Sequence, residues 1–284
     1  MWKFNVNTVA FMRFPLERTF ELISEGGFVN VELGESHFDI FKLTKSEFRN
    51  IMELLNKNGL KLCSVFAEYG YDAVRMRKYS FGISSPREED REVAVKEMKR
   101  LIETAVELEC DLIVSELTGD RDDPERSKKS FIKSVNEIIP TLDQTDSTMV
   151  VEAHPGDFME DAFTTIDILR SFGSKRIRYN YCVPHTFILG HTPKEIIIYS
   201  REILTYCHVA DSLNPNRIFF SPAYSPKIKP HLHLIPGLGD VDFMEYISTL
   251  KEIKFGGVLT LDAFSHMDRP LAAMIETRRR VESY

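Results

Sequence analysis

Strand-like runs alternate with amphipathic segments eight times along this chain, and that alternation limits the fold more than any other feature of the sequence. The runs are KFNVNTVAF, VNVEL, LKLCSVFA, DLIVSEL, TMVVEAH, IRYNYCV, TYCHVAD and GVLTLDAF. Between them lie segments such as TKSEFRNIMELLNKNG, where Phe48, Ile51, Met52, Leu54 and Leu55 recur at three- and four-residue steps, the spacing of a helix with one buried face. Gly26, Gly59 and Gly173 stand where helices stop and a left-handed residue is wanted. Pro15, Pro124 and Pro193 stand near helix starts, where a missing N–H costs nothing. A strand followed by a helix, eight times over with mostly short links, predicts a parallel sheet closed on itself, the (β/α)8 or TIM barrel. The 284 residues are close to the roughly 250 that such a barrel uses as one domain. With no break in composition, the prediction is a single domain over residues 1–284.

Two links are longer than the rest. AEYGYDAVRMRKYSFGISSPRE, after the third strand, is rich in aromatic and basic residues, and SLNPNRIFFSPAYSPKIKPHLHLIPGLGD, after the seventh, carries five prolines. Both fall on the side of the barrel where its chemistry is done, so both read as a lid or wall of a substrate site.

The charge balance narrows the partners. The net charge is −7, and the one local basic run, KRIR at 175–178, sits among acidic neighbours, so no nucleic-acid surface is expected. No apolar run approaches the roughly 20 residues of a membrane helix. The N-terminal MWKFNVNTVAF lacks the apolar stretch of a signal peptide, so a soluble, cytoplasmic protein with no membrane partner is expected. Cys63, Cys110, Cys182 and Cys207 lie far apart with no CxxC spacing and read as reduced thiols, not as a disulfide framework or a zinc finger.

Reacting groups in such barrels come from the C-terminal ends of the strands. Glu152 ends the fifth run, Cys182 the sixth, His208 the seventh and Asp262 the eighth. Four neighbouring strands thus aim a carboxylate, a thiol, an imidazole and a second carboxylate at one rim, a donor set that suits a divalent transition metal. Each has an ordinary explanation when taken alone: a solvated strand end for Glu152, a small buried hydrophobe for Cys182, a satisfied core histidine for His208, a helix cap for Asp262. Those explanations must hold together at four consecutive strands, and the convergence favours function. Six of the eight histidines fall between 154 and 233, none inside an expected helix; His154, His185, His231 and His233 add imidazoles near the rim. In the HLH triplet, His231 and His233 point the same way if the segment is extended, which suits contact with a ligand or substrate, against paired surface histidines. Glu32 ends the second strand at the same rim, as a site residue or a salt-bridge partner.

The segments PLERTFELISEGGFVNVEL, VVEAHPGDF, YNYCVPHTF, HVADS, HLHLIPGLGDVDF and GVLTLDAF together resemble the sugar phosphate isomerase/epimerase family of xylose isomerase-like barrels, which also includes endonuclease IV. The resemblance spans almost the whole chain. It implies one metal held by a Glu, an Asp, a His and a Glu at the ends of strands 5 to 8. Glu152 and His208 match; Cys182 stands where Asp is usual, and Asp262 where Glu is usual. If Cys182 is a ligand, its thiolate favours Zn²⁺ over Mn²⁺ or Mg²⁺. The other reading makes Cys182 a spectator and completes the shell with His154, His185 or one of the HLH pair.

By the same resemblance the activity is a divalent-metal-dependent isomerase or epimerase that moves a proton next to a carbonyl of a small carbohydrate. Glu152 and Asp262 would be its two bases, with His185, three residues past Cys182, at the substrate. Arg217, nine residues past His208, is a looser match to a substrate arginine and is otherwise a solvated loop residue. Asp211 would orient His208, contact a hydroxyl or cap its loop. A phosphorylated substrate would want cations at the rim, for which Arg75, Arg77, Lys78 and Arg217 are the candidates. The alternatives are a metal-dependent dehydratase or hydrolase, an endonuclease IV-like nuclease against which the acidic charge argues, and an inactive barrel that binds a small molecule. The assemblies open to it are a homodimer or a tetramer.

Overall fold

The eight runs become eight parallel strands because each is apolar enough to be covered on both faces, and a parallel ladder needs a helical crossover that supplies one cover. In the computed structural model, which describes residues 2–34, 36–67, 82–116, 119–214 and 231–284, the strands are β1 (Lys3–Asn7), β2 (Asn30–Leu33), β3 (Lys61–Ala67), β4 (Leu112–Glu116), β5 (Thr148–Glu152), β6 (Ile177–Cys182), β7 (Leu204–Val209) and β8 (Val258–Leu261). Each pairs with the next, and β8 closes on β1. The helices of the described residues are α1 (Leu16–Glu25), α2 (Lys45–Asn58), α3 (Glu88–Glu107), α4 (Pro124–Thr145), α5 (Ala162–Ser171), the short α6 (Val183–Phe187), α7 (Pro193–Ser200), α8 (Phe243–Glu252) and α9 (Pro270–Ser283). The expected barrel is therefore the observed one.

Local signals account for the helix ends. Thr44 and Glu47 form a reciprocal capping box at the start of α2, and Gly59, with φ of +64°, closes that helix. Gly173 is likewise left-handed, at φ +60°. Gly26 is not: it stays right-handed at φ −73°, and Gly27 makes the turn instead at φ +71°. The apolar stripe of α2 buries Ile51, Leu54 and Leu55 against the barrel wall, at about 1.5–3 kcal/mol for each side chain. None of the described helices is long and apolar enough to cross a membrane.

Inside the barrel a small plug of Phe66, Val114, Val150 and Tyr206 fills the middle. Two register shifts lie beside it. Val31 pairs with Leu62 but Glu32 with Ser64, which leaves Cys63 as an extra residue on β3; Tyr179 pairs with Leu204 but Asn180 with Tyr206, which leaves Thr205 as an extra residue on β7. Such bulges re-aim the residues that follow. Here those residues include Glu32, Asn180, Tyr206 and His208, all inside the C-terminal half of the barrel.

The two long links are described only in part. Residues 68–81 and 215–230 lie outside the described residues, and with them Arg75, Arg77, Lys78 and Arg217.

Candidate active site

His208 is the centre of the rim. It lies on β7, fully inside the barrel, with Nδ1 3.0 Å from Glu152 Oε2 and Nε2 3.0 Å from Glu32 Oε1. An imidazole with a carboxylate at each nitrogen is an imidazolium that donates in both directions. Burial opposes that charge, and the Glu32 and Glu152 carboxylates overcome the opposition and hold its pKa well above the ordinary histidine range.

Glu152, the last residue of β5, uses only half of its carboxylate in this contact. Its Oε2 takes His208 and a 2.7 Å hydrogen bond from Asn180 Nδ2; its Oε1 is buried with no hydrogen-bond partner among the described residues. Cys182 ends β6 and is buried, and its ligand atom lies within 4.8 Å of those of Glu152 and His208. Burial first, then the Glu152 charge, push the Cys182 thiol well above its usual pKa. Three of the four residues expected at the metal thus stand together.

Asp262 does not join them. One residue beyond β8, it accepts a 3.0 Å hydrogen bond from Asn7 Nδ2 and lies 2.9 Å from His233 Nδ1, and among the described residues it belongs to none of the groups able to hold an ion. The His233 ring stacks on Phe264, with ring centres 3.9 Å apart. Its Nδ1 therefore carries the proton given to Asp262, and its Nε2 is buried without a partner among the described residues. The carboxylate expected as fourth ligand and second base is paired with a histidine and an asparagine in this arrangement.

His185 departs from expectation in its setting: it lies in the one-turn helix α6, not in a loop. Its Nδ1, also unpartnered among the described residues, is 3.9 Å from Glu152 Oε1. It packs edge-on against His154 and His231, with ring centres 4.5 Å away in each case. Burial, then the neighbouring histidines, hold His185 well below the usual range. Burial above all brings His154 down to about 4 and His231 down to about 2. All three are neutral imidazoles near neutral pH. One nitrogen from each lies within 4.8 Å of the others, and Cys182, His185 and His233 form a further such group.

Asp211 serves the loop. Its carboxylate accepts hydrogen bonds from the backbone N–H groups of Ser212, Gly237, Gly239 and Val241 at 2.7–3.1 Å. A Cβ on Gly239 would collide with that carboxylate and with the Ser212 carbonyl, so Gly239 is there for close approach to Asp211, while Gly237 makes a left-handed turn at φ +82°. Of the roles open to Asp211, the geometry displays the cap, and the same loop carries His233 to Asp262.

A metal can be tested against these residues through their unsatisfied atoms. Glu152 Oε1, Asn180 Oδ1, His185 Nδ1, His231 Nδ1 and His233 Nε2 are buried without a protein partner among the described residues. Leaving such an atom unpaired costs about 1–3 kcal/mol, so a cluster of them calls for a polar ligand. Carboxylate, thiol and imidazole in one buried group fit a divalent transition ion.

Asn180, Asn7, Ser64 and Tyr206 also bond to the rim carboxylates, and no motif in the sequence marks them for it. Asn180 and Tyr206 each stand two residues before a recognised rim residue, the period that brings both side chains to the same face of a strand, and that parity was the available signal.

The family described as xylose isomerase-like TIM barrel matches the chain over residues 20–283. Among solved structures, a D-tagatose 3-epimerase-like protein is 19% identical with a TM-score of 0.76, over 99% of this chain and 98% of that one. The 3-keto-D-glucoside 4-epimerase YcjR from E. coli is 17% identical with a TM-score of 0.75, over 100% of both chains. The IolI protein, solved with a zinc atom, is 16% identical with a TM-score of 0.75, over 99% of this chain and 96% of that one. At these identities the likeness is one of fold. No curated protein matches the sequence.

Proposed function

Because the chain belongs to the xylose isomerase-like TIM barrels, we propose that it is a divalent-metal-dependent isomerase or epimerase that moves a proton on a carbon next to the carbonyl of a small sugar or sugar derivative. One observation carries the reading. Glu152 has one oxygen engaged by His208 and Asn180 and the other free, while three strands further round the barrel Asp262 holds His233 with a free Nε2. Two acceptors thus reach the site from different sides, as a proton taken from one face of a carbon and returned to the other requires.

Glu152, Cys182 and His208 would hold the ion, and a thiolate among them favours Zn²⁺ over Mn²⁺ or Mg²⁺. When bound there, it supplies electrostatic stabilisation of the negative charge that builds on a carbonyl oxygen. Glu152 Oε1 takes the proton from the adjacent carbon. Asn180 keeps the Glu152 carboxylate from turning, through its bond to Oε2. On the other side His233 Nε2 gives or takes the second proton, and Asp262 fixes its tautomer and stabilises the imidazolium that forms. Asp262 is a methylene shorter than the glutamate of the resembling proteins, and His233 spans the gap. The neutral imidazoles of His154, His185 and His231 offer donors and acceptors to the sugar hydroxyls.

The test is conversion of a panel of ketoses, their phosphates and keto-glycosides by metal-free protein reloaded with Zn²⁺ or Mn²⁺. The expected result is formation of an epimer or aldose that stops on chelation and in Glu152→Gln. Folded, metal-loaded protein that converts none of them, or that eliminates water instead, would overturn the reading.

A further inference from the structure

The proposed metal centre leaves Glu32 without a task, yet Glu32 is fully buried at the same rim and is among the most heavily bonded side chains in the barrel. Its two oxygens do different things. Oε2 accepts from the Tyr206 hydroxyl at 2.6 Å and from Ser64 Oγ at 2.9 Å; Oε1 meets only the Nε2 of His208, at 3.0 Å. The donors on Oε2 are themselves held. Asn5 Nδ2 donates to Tyr206 at 2.8 Å and to Ser64 at 3.0 Å, and the Thr260 hydroxyl also donates to the Tyr206 oxygen. The Tyr206 hydroxyl also lies 2.6 Å from Ser64 Oγ, so the two hydroxyls and Glu32 Oε2 form one closed set of contacts. The floor of the barrel is therefore a set of donors that holds one carboxylate in place and aims its second oxygen at one nitrogen of one histidine.

We infer that Glu32 is a positioning residue for the metal: through His208 Nε2 it fixes the tautomer and the ring orientation that turn His208 Nδ1 toward Glu152 and Cys182. The inference rests on the reading of His208 as a ligand and adds to it the origin of that ligand's orientation. An imidazole ligand whose other nitrogen donates to a carboxylate is both pre-oriented and more basic, and the loss of such a partner weakens metal binding by about 10–100-fold. The plain alternative is a buried ion pair that serves folding alone. Two details speak against it: Glu32 spends only one of its oxygens on the charge, and the polar floor behind it spans β1, β3, β7 and β8 to hold the other. The bulge at Cys63 places Ser64 in register with Glu32, and the bulge at Thr205 places Tyr206 on the inner face below His208.

The experiment is titration of metal-free protein with Zn²⁺, with the tautomer of His208 read by two-bond ¹⁵N–¹H correlation in zinc-loaded protein. Glu32→Gln keeps the shape but presents an amide to the Ser64 and Tyr206 donors. It is expected to raise the zinc Kd about 10–100-fold and to lose the single Nε2–H tautomer expected of the zinc-loaded wild type, with an unchanged far-UV circular dichroism spectrum. Tyr206→Phe, which leaves the carboxylate in place and removes one of its donors, is expected to shift the Kd in the same direction by less, and it serves as the test if Glu32→Gln does not fold. A zinc Kd in either folded variant within twofold of wild type, with the tautomer unchanged, would overturn the inference. His208→Ala separates the two levels. If it abolishes zinc binding while Glu32→Gln leaves it intact, the positioning role alone fails; if it leaves zinc binding intact, the metal centre proposed at His208 fails with it.

Discussion

With aspartate at 262, the carboxylate reaches Asn7 and His233 but not the group formed by Glu152, Cys182 and His208. His233→Asn is therefore expected to lower kcat by about 10²–10⁴-fold, the usual contribution of a positioned acid or base, while zinc content stays at the wild-type value; loss of zinc in this variant would place His233 in the metal shell instead. Glu152→Gln should lower turnover by a similar factor or more, because it removes both a ligand charge and the free Oε1, and steady-state kinetics on the reloaded protein measures this. Much of the centre is legible in the sequence because strand ends converge in a barrel, so Glu152, Cys182 and His208 can be found by position alone. The partner of Asp262 is not legible: His233 is 29 residues away, and the two meet only because the loop around Asp211 delivers it. Asn180 and Tyr206 hide for another reason. A polar side chain inside an apolar run looks like noise until the closed barrel shows that its face is the lumen.

At the scale of elements, the apolar period made strands and helices readable, whereas the attachments between helices depend on long side chains that no period reports. Glu88, at the start of α3, accepts from Arg91 at 2.6 Å and from Lys133 of α4 at 2.6 Å, and these two cations hold its pKa at about 2 against the usual 4.5. The unfolded chain thus binds this proton first as pH falls. The contribution is complete above pH about 4.5, shrinks below it and is gone once pH drops through about 2. Because the carboxylate is half-exposed, solvent screening keeps the effect near that of a surface pair, about 0.5–1 kcal/mol. Urea denaturation of wild type and Glu88→Gln should show that difference at pH 7 and a smaller one at pH 3; a difference independent of pH would show that the pair does not act through its charge.

For the molecule as a whole, the eightfold alternation was enough to predict the barrel, because only closure covers both faces of eight apolar strands without leaving an edge. Family membership then follows from the match over residues 20–283, while the reaction has to be argued from the rim, since this barrel hosts many chemistries. A ligand that binds only the folded barrel stabilises it, by about 2.7 kcal/mol at a hundred times its Kd. Added Zn²⁺ should accordingly raise the melting temperature of metal-free wild type and leave that of His208→Ala unchanged; an equal rise in both would move the ion away from His208. Proton transfer at carbon by this rim is read directly by ¹H NMR of a converted keto-sugar incubated in D2O with zinc-loaded protein. The proton signal at the carbon next to the carbonyl is expected to disappear with wild type and to persist with Glu152→Gln. Conversion to an epimer with that proton fully retained, or exchange undiminished in Glu152→Gln, would contradict it.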